Sequence, residues 1–152
     1  MPAPVKPAAA KPLGCTNLKL RQLMRRVAQH YDDEMAQVGL KGTQYSLLSY
    51  IVKLGPWRAV DLAREMKVST STLSRNLKPL SDAGWITIGP GPDARSLLIS
   101  ATPEGQAKRT EAQRRWKTAQ EGINQVLGDQ RVMALHQMID EAMDLLAKAE
   151  RH

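Results

Sequence analysis

The chain has 152 residues, with 22 Lys and Arg against 15 Asp and Glu for a formal charge of +7, a size that fits one domain or one domain with a tail. No run of about 18 apolar residues is present, and the stretch Met1 to Pro12 lacks the apolar segment of a secretory signal, so no membrane association and a cytoplasmic location are expected. One cysteine, Cys15, and three scattered histidines, His30, His136 and His152, offer neither an internal disulfide nor metal-ligand spacing, and no cofactor is expected.

The Pro- and Ala-rich start has no apolar periodicity, and residues 1–16 read as a flexible arm. From Asn17 to Val38, Leu20, Met24, Val27, Tyr31 and Val38 recur at helical steps, and Gly39 ends that first helix. Thr43 is placed to cap a second helix through Leu54, with Leu47, Leu48, Ile51 and Leu54 inward, before Gly55-Pro56. A short third helix spans Ala59 to Met66, and Ser69 caps a fourth from about Thr70 to Ala83, ended by Gly84. Pro79 lies inside that helix and is expected to kink or loosen its last turn.

Trp85 to Ile88 and Leu97 to Ser100 are β-prone, and Gly89 to Ser96 between them is rich in turn formers, which predicts a hairpin with a long tip. Thr102-Pro103 opens a fifth helix that runs to about Leu127. Its first half is almost wholly polar, which suits a helix bridging two lobes through solvent. After Gly128-Asp129 a last helix carries Val132, Leu135, Ile139, Ala142 and Leu146 on one stripe. That stripe and the one on the first helix are wider than one chain of this length can cover, so the two chain ends are expected to close against a second copy.

The stretch from Val60 to Leu80 is two short helices joined by a tight turn, a helix-turn-helix pattern. At about 100° per residue, Leu73, Leu77 and Leu80 share one stripe, while Ser71, Ser74, Arg75 and Lys78 share the other side. An outward arginine with small polar neighbours is what a major groove needs: Arg75 bonds a guanine edge, and Ser71, Thr72, Ser74 and Lys78 take base edges or phosphates. At the hairpin tip, Arg95 is the lone cation and is placed to enter a minor groove, with Asp93 two residues away to hold it. The alternative is a set of ordinary solvated charges.

These features in order, Leu62-Ala63, Val68-Ser69, Thr72-Leu73-Ser74-Arg75, the Asp93-x-Arg95 tip and Thr102-Pro103-Glu104-Gly105, resemble the MarR family of transcriptional regulators over about residues 17 to 150. The resemblance implies a mainly α fold with a small β-hairpin wing, in which 43–101 form a winged helix-turn-helix lobe and 17–38 with 103–152 form the dimerisation helices of a single domain spanning 17–152. It implies a homodimer, probing double-stranded DNA at a near-palindromic operator as a repressor, and released by a small phenolic or carboxylic effector held between the lobes. That family location nominates His30, Tyr31, Tyr50 and Trp116 for the effector pocket, with Arg21 and Arg25 as anion partners. Peroxide-sensing members place a reactive cysteine near the start of the first helix, where Cys15 stands, so redox sensing is an alternative; its neighbours Gly14 and Thr16-Asn17-Leu18 lack the aromatic surroundings of that branch. A sequence-neutral nucleic-acid-binding protein is a second alternative. No nucleophile–base pair or phosphate-binding Gly loop supports an enzyme.

Overall fold

A computed structural model describes residues 10–93 and 95–151. Of the expected arm, residues 1–9 lie outside the described residues, and residues 10–15 are exposed without helix or strand. Six helices and three short strands follow: α1 (Thr16–Ala36), α2 (Gly42–Leu54), β1 (Trp57–Arg58), α3 (Ala59–Glu65), α4 (Thr70–Asp82), β2 (Ile86–Pro90), β3 (Leu97–Ala101), α5 (Pro103–Leu127) and α6 (Asp129–Ala149). The expected mainly α fold with a β wing is what the structure has. Among the described residues no helix is long and apolar enough to cross a membrane.

The sheet is larger than the expected hairpin. β1 pairs antiparallel with β3, Trp57 opposite Ile99 and Arg58 opposite Leu98, giving the strand order β1-β3-β2. Two residues are too few to show alternation, so nothing in the sequence marks β1 as a strand. Its anchor is local: the Trp57 indole N–H donates to the Tyr50 carbonyl at 2.9 Å, tying β1 to α2. β2 and β3 pair from Ile86 opposite Ala101 to Pro90 opposite Leu97, so the tip is shorter than the eight-residue stretch of turn formers suggested.

Two cores hold these elements. Leu47, Leu48 and Ile51 of α2 meet Leu62 of α3, Leu73, Leu77 and Leu80 of α4, and Ile86 and Ile99 of the sheet. Burying each such side chain contributes roughly 1.5–3 kcal/mol. Leu54, expected inward, is instead 62% exposed at the last turn of α2. The second core joins Met35, Leu40, Tyr45 and Ala112, with Val38, Trp85 and Trp116 packed against it.

α5 corrects a sequence expectation. Its polar first half does not run through solvent: α5 packs on α1 and α2, and Gly105, Ala112, Ala119 and Ile123 along it are buried. The small residues recur every seven positions, so close helix approach replaces bulky apolar contact, a pattern that an apolar count misses. Gly105 shows why: a Cβ there would run into the Trp85 carbonyl oxygen. The helix start is held by Thr102, whose hydroxyl accepts the Gly105 N–H at 3.0 Å and donates to the Gly84 carbonyl at 2.6 Å.

Two further boundaries differ. Lys41, not Thr43, precedes the first turn of α2, with its N–H donating to the Gln44 side chain at 2.9 Å. Pro79 does not loosen α4, which continues to Asp82 with Ala83 N–H bonded to the Pro79 carbonyl at 3.1 Å. The buried stripe formed by Leu73, Leu77 and Leu80 holds the helix on both sides of the proline.

Candidate functional site

α3, a four-residue turn and α4 form the helix-turn-helix. The turn closes with Lys67 in a left-handed conformation, φ 56°, and the Val68 N–H on the Ala63 carbonyl at 3.0 Å. Ser69 then caps α4: its hydroxyl accepts the Thr72 N–H at 3.1 Å and donates to Thr72 Oγ1 at 3.0 Å. With the leucine stripe buried, Ser71, Ser74, Arg75 and Lys78 face solvent. Thr72 is half-buried, and its Oγ1 accepts from Arg75 Nη2 at 3.4 Å, so it supports the arginine from one turn below. Lys78 pairs with Asp82 at 2.9 Å on the same helix, an exposed pair that a phosphate can displace.

At the wing, Asp93 does not hold the Arg95 guanidinium as expected. Its carboxylate accepts the Arg95 backbone N–H at 3.3 Å and pairs with Arg58 of β1 at 3.6 Å. Hydrogen bonding from the Ser96 side chain, then the Arg95 N–H, holds the Asp93 carboxyl below its ordinary range. The tip is therefore tied to β1, and the Arg95 side chain stays exposed. Ala94 lies outside the described residues. Arg58 is a residue that sequence reasoning missed, because its role depends on β1 pairing next to the wing.

A cavity of about 470 Å³ opens where α1, α2, α4 and α5 meet. Tyr31 and Asp32 come from α1, Thr43, Ser46 and Leu47 from α2, and Trp116 from α5. Met66 and Val68 at the turn, with Leu73 and Asn76 of α4, close it on the helix-turn-helix side. Of the six residues expected around an effector, the structure brings Tyr31 and Trp116 together here and leaves four elsewhere. Arg25 lines a separate surface groove with Gln22, Arg26 and Gln29, and Arg21 hydrogen-bonds Asn17 at 3.3 Å. His30 is exposed, and Tyr50 packs against the first core. Tyr31 and Trp116 are both braced. The Tyr31 hydroxyl donates to Gln120 Oε1 of α5, with burial raising the phenol above its ordinary value, and Trp116 stacks on Tyr45 at 6.1 Å between ring centroids. Asp32 accepts the Gly42 N–H at 2.8 Å and so caps α2 from outside. Cys15 is exposed at the α1 N-cap and makes no capping hydrogen bond.

An exposed polar helix backed by buried leucines, a tight turn and a flanking three-stranded wing define a winged helix-turn-helix protein. Comparison with known proteins narrows this. Residues 38–96 match the MarR family model. The multiple antibiotic resistance protein MarR of Salmonella typhimurium is 31% identical over 97 residues, covering 63% of this chain and 65% of that protein. The uncharacterized HTH-type transcriptional regulator YwoH of Bacillus subtilis is 27% identical over 93 residues, 61% of this chain and 68% of that protein. Among solved structures, the Mycobacterium tuberculosis regulator MosR in complex with DNA superposes with a TM-score of 0.72 at 29% identity, over 86% of this chain and 98% of MosR. Over its helix-turn-helix stretch the chain thus matches the MarR family, and the proteins it is similar to are transcriptional regulators.

Proposed function

We propose that the chain works in the cytoplasm as a dimeric repressor that occupies a near-palindromic operator and leaves it when a small organic effector fills the cavity. The observation that carries this reading is the face of α4, where Ser71, Ser74, Arg75 and Lys78 are exposed above three buried leucines. Arg75 reads a base edge in the major groove, Thr72 positions it, Ser71 and Ser74 take base edges or phosphates, and Lys78 takes a phosphate. Arg95 enters the adjacent minor groove, and Asp93 fixes the tip backbone from which it projects.

Dimerisation is supported by what covers too little. α6 has only Val132 buried, while Met138, Ile139, Met143 and Leu146 are exposed, as are Leu20 and Met24 of α1, which the sequence placed on an inner stripe. A 21-residue helix with an uncovered apolar stripe matches the self-complementary surface of a two-fold dimer. Two reading helices about one helical turn of DNA apart then engage two half-sites. The cavity touches α4 through Leu73 and Asn76, so a ligand there bears on the reading helix directly.

The experiment is an operator titration with Arg75→Ala. A loss of about 1–3 kcal/mol, concentrated at one base pair of each half-site, is expected for a removed bidentate contact. Unchanged affinity and sequence preference would overturn the assignment.

A further inference from the structure

Resting on the reading of the cavity as an effector site, we infer that it selects an uncharged aromatic ligand bearing a hydrogen-bond donor, and that Asp32 sets this selection by rejecting carboxylates. The cavity lining contains one formal charge, and it is negative: Asp32 is present, and no Lys, Arg or His is among the lining residues. The two arginines that would answer a carboxylate stand elsewhere, Arg21 on Asn17 and Arg25 in its own groove.

The polar atoms of Asp32 and Tyr31 favour a donor on the ligand. Asp32 gives Oδ1 to the Gly42 N–H at 2.8 Å, and among the described residues its Oδ2 has no hydrogen-bond partner. The Tyr31 hydroxyl hydrogen is committed to Gln120, which leaves its oxygen able only to accept. Around these acceptors Leu47, Met66, Leu73 and the Trp116 ring supply apolar wall, and the remaining polar groups, Thr43, Ser46 and Asn76, are uncharged. An anion brought into such a site loses hydration and meets a like charge, whereas a phenol or an amide satisfies the same acceptors without either cost. The burial that raises the Tyr31 phenol acts in the same sense on any negative charge placed beside it.

The test uses the full chain and two probes of nearly equal shape, 4-hydroxyphenylacetamide and 4-hydroxyphenylacetate, titrated by calorimetry at neutral pH. The amide is expected to bind at least about tenfold more tightly than the carboxylate. Asp32→Asn keeps the side-chain oxygen that caps α2 and is expected to narrow that ratio to within about threefold, by raising carboxylate affinity. Asn76→Asp, an exposed position at the rim, is expected to widen the ratio and guards against a misfolded Asp32 variant. A carboxylate that binds the wild type as tightly as the amide, or a ratio that neither substitution moves, overturns charge selection and leaves the effector site standing. Binding of neither probe at millimolar concentration overturns both.

Discussion

Arg58, the second residue of a two-residue strand, lies 3.6 Å from the carboxylate of Asp93 at the wing tip. Both side chains are more than half exposed, so the pair adds little to folding and its effect is on where the wing sits. Arg58→Ala and Asp93→Ala are each expected to weaken operator binding several-fold without moving Tm, and the double substitution to do no more than either alone. Fluorescence anisotropy on labelled duplex measures this, and additive losses would separate the two residues.

The same carboxylate gives a pH expectation. Hydrogen bonding holds the folded Asp93 pKa below its ordinary 3.8, so its contribution is present above that value. It is lost only as pH falls through the depressed folded value. Operator affinity measured between about pH 5 and 8 should therefore show no step that Asp93→Asn removes. A step in that range abolished by Asp93→Asn would show a carboxyl raised well above its ordinary value.

Leu77 is buried on α4 directly behind the reading face. Leu77→Ala should cost about 2–5 kcal/mol in urea unfolding, with the m-value unchanged. Leu54→Ala, at the exposed end of α2, should cost well under about 1 kcal/mol, and equal losses would contradict the assignment of the core.

Backbone demands make opposite predictions at two positions. Gly105 has no room for a methyl group against Trp85, so Gly105→Ala should destabilise by about 1–3 kcal/mol despite the higher helix propensity of alanine. Lys67 holds φ 56° in the turn before α4, a conformation that costs a side-chain-bearing residue roughly 1–2 kcal/mol. Lys67→Gly should therefore raise Tm, as read by calorimetry, and a lowered Tm would show that the lysine side chain holds the turn.

Dimerisation through α6 predicts that Met143→Glu together with Leu146→Glu yields a folded monomer in sedimentation velocity, with helical circular dichroism retained. Operator affinity should fall by a factor of 100 or more, on the order of one lost half-site. A variant that remains dimeric would move the interface elsewhere.

The helix-turn-helix was legible because α4 obeys one rule over its whole length: leucines at 73, 77 and 80 recur with the helical period, and Ser69 caps it. α5 was legible in extent, from its threonine cap to Gly128, and misread in placement, since Gly105, Ala112 and Ala119 bury a face without large apolar side chains. The cavity was the least legible part. Arg21 and Arg25 share a helix with Tyr31 but lie ten and six residues before it, about 15 and 9 Å along the axis, so periodicity found the helix and not the height. Asp32 and Asn76 carry no local signal, because what makes them neighbours is the packing of α1, α2 and α4 around one space. Arg58 was hidden for a similar reason, its strand being recognisable only by its partner β3.

Sequence reading by α4 through Arg75 is checked by selection from a random duplex pool. The wild-type chain should enrich a motif of two inverted half-sites about 10 base pairs apart, centre to centre, with a guanine in each that Arg75→Ala no longer selects. Enrichment of no motif, with binding that follows salt concentration alone, would rule out sequence reading by Arg75 and leave a sequence-neutral nucleic-acid-binding protein.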